Sequence, residues 1–176
     1  GLPWLPFIST FGEFNIRTYV KKDDVPGVLF LTLDAQSMVT CFHAPRSYGL
    51  PYRYAKAKVK IGKDGKYTWF SRRKKGGESL IGTTNSSGQL EQARDGSIEY
   101  FLFERYSLYT WHEGSLHRAY THHEPWKYCV AEVQVETNTL LESYNLGISS
   151  PLKPEYIHMS TGVQVQTWNI QPVEGN

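Results

Sequence analysis

Cysteine is scarce in this sequence: Cys41 and Cys129 are the only two thiols among 176 residues. Two thiols so far apart build no disulfide framework, so a reducing compartment is expected. Neither has a basic neighbour that would lower its pKa, so neither reads as a nucleophile. No apolar run approaches the roughly 20 residues of a membrane-spanning helix, and no signal-peptide pattern opens the chain. A soluble, cytoplasmic protein is expected. The formal charge of +2 is too small to imply a nucleic-acid or membrane partner. Phosphate-cradling glycine loops, G-x-S-x-G elbows and zinc-type Cys/His spacings are all missing, so neither a cofactor nor a metal is expected.

Aromatic residues are plentiful, with 12 Tyr, 8 Phe and 5 Trp. Their apolar bodies and polar tips suit a sheet or barrel core with a pocket. The length fits one domain, 1–176, with enough chain to bury a sizeable core. The oligomeric state is left open, a homo-oligomer included. The first ten residues, with Pro3 and Pro6, read as an extended or loop-like lead-in.

Alternation predicts a strand over Phe11–Val20 and a polar turn over Lys21–Gly27. A strand over Val28–Leu33 follows, apolar enough to be buried on both sides. Asp34 stands where a helix N-cap belongs, and Ala35, Met38, Val39 and Phe42 then recur at the spacing of a core-facing stripe. That helix should stop near Pro45. Tyr54–Ile61 alternates with Ala55, Ala57, Val59 and Ile61 inward and lysines outward, turns at Lys63–Lys66, and returns over Tyr67–Arg73. The basic run Arg72–Lys75 reads as a solvated strand end, and Gly82–Gly88 as a plain loop. A second helix is predicted over Ser97–Arg105 with Ser97 as cap, then strands over Tyr106–Trp111, Leu116–His123, Tyr128–Glu136 and Gly162–Ile170. Two helices and about seven or eight strands make an α+β domain dominated by antiparallel sheet.

The stretch Phe11–Val20 carries the most chemistry. On a strand, Glu13, Asn15, Arg17 and Tyr19 share one face and Phe14, Ile16, Thr18 and Val20 the other. The polar row faces either water or a ligand cavity, and alternation alone does not choose. The histidines His112, His117, His122 and His123 cluster in one hairpin, but adjacent His122 and His123 point to opposite faces and cannot both ligate one ion. His123 still serves as a candidate acid, base or ligand contact. Arg17, Arg46, Arg72, Arg105 and Arg118 stand among aromatic or apolar neighbours, where a buried guanidinium must be paired. Glu104 and Arg105 diverge on a helix and need different partners. A small anionic or carbonyl-bearing ligand would satisfy the arginines, and so would internal bridges to Glu13, Glu99 and Glu104.

Five motifs in order resemble the YqjF-like family of uncharacterised proteins in the acetoacetate-decarboxylase-like superfamily. They are F-x-E-x-N-x-R-T-Y-V at 11–20, G-V-x-F-x-x-L-D-A at 27–35, R-S-Y-G-L-P-Y at 46–52, G-S-I-E-Y-F-L-F-E-R-Y-S-L-Y-T at 96–110 and H-H-x-P-W at 122–126. The resemblance implies a curved, clam-like β-barrel around a pocket. Family members usually carry a further N-terminal stretch, so an N-terminally incomplete domain is expected. The superfamily's namesake enzyme uses a Schiff-base lysine after a G-x-P turn. In the similar turn here, Gly49-Leu50-Pro51-Tyr52-Arg53, Tyr52 stands at the lysine position, which removes imine chemistry there. The aromatic-x-Glu turn persists as Phe11-Gly12-Glu13, and the resemblance implies that Glu13 points into the pocket. The expected site has Glu13 as acid or base with Tyr52 beside it, and Asn15, Arg17, Arg46, Arg105 and His123 as ligand contacts.

Overall fold

The computed structural model describes residues 12–86, 88–148 and 153–174. The expectations for the first ten residues and for Phe11 lie outside them. The chain runs β1 (Glu13–Lys22), β2 (Val25–Ala35), α1 (Met38–Tyr48), β3 (Tyr52–Ile61), β4 (Tyr67–Arg73), β5 (Ser79–Ser86), β6 (Glu91–Gln92) and α2 (Ile98–Phe103). It continues through β7 (Ser107–His112), β8 (Ser115–His122), β9 (Lys127–Asn138), α3 (Thr139–Glu142), β10 (His158–Ser160), β11 (Gln166–Thr167) and β12 (Gln171–Pro172). The described strands form one open, curved, mixed sheet in the order β10-β9-β5-β4-β3-β2-β7-β8-β11, with β1 on β2, β12 on β8 and β6 on β9. Among the described residues, no helix is long and apolar enough to cross a membrane.

Strand β2 joins the two parts of this sheet. β1 runs antiparallel along its length, closed by Asp23 and Asp24, whose φ values of 50° and 61° suit a tight hairpin turn. At its far end Leu33–Ala35 run parallel to Tyr52–Tyr54 of β3, while near its start Val28 and Leu29 run parallel to Leu108 and Tyr109 of β7. Between these partners the register with β1 slips: Ile16 faces Thr32 and Arg17 faces Phe30, so Leu31 is an extra residue. Such a bulge bends the strand and lets its two ends enter differently oriented ladders.

Gly27 sits where the two parts meet. A Cβ there would stand 2.6 Å from the Ser107 carbonyl oxygen and 2.7 Å from the Tyr109 ring, so only glycine allows this approach. Tyr109, fully buried, donates its phenol to the Val25 carbonyl at 2.9 Å. The rest of the apolar core is small: Leu33, Ala35, Ala55, Ala57, Leu108, Ala119, Tyr128, Cys129, Ala131 and Leu140.

Several sequence expectations are corrected. Asp34 does not cap a helix. It lies in β2, fully buried, and binds Arg73 through both carboxylate oxygens at 2.9–3.1 Å, while Ser37 caps α1. Arg73 is therefore no solvated strand end. It also donates to Thr32 at 2.7 Å and to the Tyr144 phenol at 3.3 Å. Met38, Val39 and Phe42 do not face a core: they are 72%, 47% and 55% exposed. α1 runs past Pro45 to a left-handed cap at Gly49 (φ 64°), whose amide bonds the Pro45 carbonyl. Val59 and Ile61 are exposed although Ala55 and Ala57 are buried. Gly82–Ser86 belong to β5, paired with β9 throughout and with β4 as far as Thr84. A third helix, α3, appears, and the predicted strand over Gly162–Ile170 reduces to β11 and the later β12.

Candidate functional site

The polar row of β1 exists as expected, because its side chains bond to one another and to one side of the sheet. Tyr52 donates to Glu13 at 2.8 Å, Asn15 to Glu13 at 3.4 Å, and Arg17 to the Tyr19 phenol at 3.3 Å. Cross-strand partners share a face, so Glu13 and Asn15 lie over Ala35 and Leu33, with Tyr52 beside Leu33. Phe14 faces the other way, its ring 6.1 Å from that of Trp69.

The row is too long for one small ligand. Glu13 and Arg17 are four residues apart, about 13 Å at some 3.3 Å per residue. At the α1 end stand Glu13, Asn15 and Tyr52, with Cys41 near enough for mutual electrostatic influence. Desolvation first, then the charge of Glu13 and the hydrogen bond to it, push the Tyr52 phenol far above its usual value, so it stays protonated and donates. Burial, then Asp34 and Glu13, push the Cys41 thiol up and keep it un-ionised. Glu13 itself is open to solvent. Arg46 does not join this group, since it folds back on its own helix, bonding the Phe42 carbonyl at 2.7 Å with its guanidinium 3.9 Å from the Phe42 ring.

At the α2 end, Arg17 and Tyr19 both donate to the Leu102 carbonyl, at 3.3 and 3.0 Å. The guanidinium carbons of Arg17 and Arg105 lie 5.7 and 5.8 Å from the Tyr19 ring centre, and Arg105 also covers Phe101 at 4.3 Å. Arg105 donates to its neighbour's carbonyl at 2.8 Å, and its buried Nε has no partner among the described residues. Neither arginine forms an ion pair with a carboxylate among the described residues. Glu13, Glu99 and Glu104, the bridges considered from the sequence, bond elsewhere. Glu104 is buried, takes the Tyr106 phenol at 2.5 Å and the Trp126 amide at 3.0 Å, and thereby fixes the start of β9.

Arg17 forms one wall of a half-open cleft of about 220 Å³, between Phe103, Trp126, Tyr128 and the short strand carrying His158 to Ser160. That is below the ~300–1,000 Å³ of drug-sized sites and suits a small metabolite. His123 stands behind the cleft, stacked on Tyr106 at 4.7 Å and edge-on to Trp126 at 5.8 Å, with Nδ1 2.9 Å from the Glu124 carbonyl. A larger, shallower depression of about 480 Å³ beside Tyr120, Trp168, Asn169 and Gln171 has no charged side chain in its lining. No three His, Cys, Asp or Glu residues converge as a metal site among the described residues. His158 and Tyr128 were missed by sequence reasoning. His158 opens a three-residue strand, too short to show any periodicity, and Tyr128 read only as part of an alternating strand.

Comparison places the fold in a known class. Structures of the enduracididine biosynthesis enzyme MppR superpose on the chain. The complex with pyruvate gives a TM-score of 0.53 at 10% identity, over 88% of this chain and 66% of MppR. The complex with the condensation product of pyruvate and imidazole 4-carboxaldehyde gives 0.55 at 11%, over 88% and 65%. At such identities the likeness is one of fold: a curved, barrel-like α+β fold of acetoacetate-decarboxylase type, of which this chain spans just under two thirds of the MppR length. Residues 1–164 match the family DUF2071, described as an uncharacterized conserved protein, and the chain belongs to that family. The uncharacterized protein YqjF of Bacillus subtilis (strain 168) is 31% identical over 172 residues, covering 97% of this chain and 69% of YqjF.

Proposed function

We propose that the protein binds a small organic anion bearing a carbonyl group, held by Arg17 and Arg105 at the α2 end of β1, without forming an imine. The observation that carries this reading is the arginine pair itself. Two guanidinium groups flank one phenol, neither has a carboxylate partner among the described residues, and one of them walls an aromatic cleft. A guanidinium fork matches a carboxylate in geometry and charge, and the flanking rings accept the rest of a flat molecule. MppR, which shares the fold, has been solved with pyruvate, a ligand of this chemistry. Imine formation is disfavoured because every lysine of this chain is exposed except Lys22, which is half-buried and paired with Asp23.

The test is calorimetric titration and thermal shift with pyruvate and a neutral amide of the same size. Pyruvate raises the melting temperature and the amide does not. Arg17→Gln weakens binding by about 10–100-fold, the worth of a charged hydrogen bond of some 1.5–3 kcal/mol. Borohydride treatment with pyruvate present leaves the protein mass unchanged. Equal binding of acid and amide, or unchanged affinity in Arg17→Gln, would overturn the reading.

The 2.8 Å bond from Tyr52 to Glu13 favours a second reading, in which this pair exchanges a proton with a ligand lying over the α1 end and oriented by Asn15. In that case Glu13→Gln abolishes any turnover found in a metabolite panel while Arg17→Gln spares it.

A further inference from the structure

We infer that His158 is the acid–base residue of the Arg17 cleft, oriented by Glu99, and that it removes a proton from the carbon next to the ligand's carbonyl group. This inference rests on the anion-binding reading of the same cleft. His158 is a minor feature of the sequence, yet the fold places it in the cleft wall with Arg17. Its side chain is 10% exposed, and its ring is held edge-on by Phe103 at 5.2 Å and Tyr128 at 5.1 Å. Two aromatic walls leave the imidazole little freedom to turn.

Its Nε2 stands 3.6 Å from Oε1 of Glu99 on α2. That is ion-pair range and not a hydrogen bond, and a carboxylate so placed favours the tautomer with the proton on Nε2 and the lone pair on Nδ1. Glu99 is held below the usual carboxylate range, first by a hydrogen bond from its own backbone amide and, against desolvation, by Ser97 and His158. It therefore faces the imidazole as an anion. This is the arrangement of an oriented base, in which a carboxylate fixes tautomer and direction and stabilises the imidazolium once formed.

The other groups around the ring are consistent with that role. From β9, the Tyr128 phenol is pushed up by desolvation first and then by Glu91 and Glu99, with Arg94 opposing, so it stays neutral. From β1, Arg17 brings a positive charge to the cleft. With a 2-oxo acid bound, Nδ1 takes a proton from C3, the carbon next to the carbonyl. The C–H electron pair forms the C2–C3 double bond and the carbonyl π pair moves to oxygen, giving an enolate. The guanidinium of Arg17 balances that oxyanion. Return of a solvent proton from the imidazolium restores the acid, so the cycle consumes no oxidant, reductant or second substrate.

In D2O this cycle exchanges the methyl protons of pyruvate for deuterium, which proton NMR follows directly, while ligand-observed NMR reports pyruvate binding in the same tube. The full chain accelerates exchange above buffer. His158→Gln keeps pyruvate binding and loses roughly a hundredfold in exchange rate, the usual worth of a positioned base. Glu99→Gln, as a positioning variant, slows exchange without loss of pyruvate binding, and the conservative Glu99→Asp restores part of the rate. Binding retained with no exchange by the wild type, or with exchange unaffected by His158→Gln, overturns this inference and leaves the anion-binding reading standing. Absence of pyruvate binding by the wild type removes both.

Discussion

Asp34 and Arg73, 39 residues apart in sequence, meet in a buried two-pronged ion pair whose side chains are 1% and 8% exposed. It joins β2 to β4 across β3 and is completed by Thr32 and Tyr144. Removing one partner strands a buried charge, so Arg73→Ala is expected to cost about 3–5 kcal/mol in urea unfolding. The paired replacement Asp34→Leu with Arg73→Leu should cost clearly less than the sum of the single changes. Additive losses would show that the pair holds nothing together.

Alkaline titration should pick out Tyr106 and Tyr52 as the most strongly shifted phenols. The Tyr106 phenol is pushed up to about 12, first by desolvation and then by its bond to Glu104 and that group's charge. In the unfolded chain it ionises near 10. A folded-state value above the unfolded one gives stability that is complete below pH 10 and is lost as pH climbs through 12. Tyr106→Phe should therefore flatten the alkaline fall in melting temperature over that window. Tyr52 should ionise later still, its phenolate absorbance emerging only with unfolding.

The outer face of α1 provides a control. Met38 is 72% exposed, so Met38→Gln should shift stability by no more than about 0.5 kcal/mol. A loss of the size expected for a buried methionine would mean that this face is covered in solution.

Gly27→Ala tests the junction of the two sheet parts. Its new methyl group would meet the Ser107 carbonyl at 2.6 Å, and backbone cannot yield there as a side chain could. A loss of about 1–3 kcal/mol or more is expected from overpacking. A near-neutral result would mean that β2 and β7 can move apart freely.

These cases also mark how far the sequence could be read. The row Glu13, Asn15, Arg17 and Tyr19 was legible because a strand has a period of two and the row needs nothing else to define it. The partnership of Asp34 with Arg73 was not, because it depends on a parallel crossover between β2 and β3 that no local signal announces. Met38, Val39 and Phe42 have the right spacing for a buried stripe, but spacing describes the helix and not what lies against it. Gly82–Ser86 lacks alternating apolar residues, and it is a strand because β9 offers backbone partners along it and β4 adds them as far as Thr84. The five motifs conveyed the fold class before any element was placed. At the site, Arg17 was visible in its row, whereas His158 reaches the cleft only through the pairing of β10 with β9.

The extra residue in β2 has a consequence for how the chain tolerates change. Leu31 is only half-buried, so its side chain suggests a forgiving position. Yet its backbone acts as a phase shift, since on one side of it Thr32 is matched to Ile16 and on the other Phe30 is matched to Arg17. Deleting it would leave every other β1–β2 pair matched and facing as before, but would remove the bulge that bends the strand. The Gly27–Tyr109 contact near one end and the Asp34–Arg73 pair at the other would then have to be met by a straighter strand. Truncation of Leu31 to alanine should cost little, while loss of the residue and its bend should lower the melting temperature more, so here chain length matters more than side-chain identity.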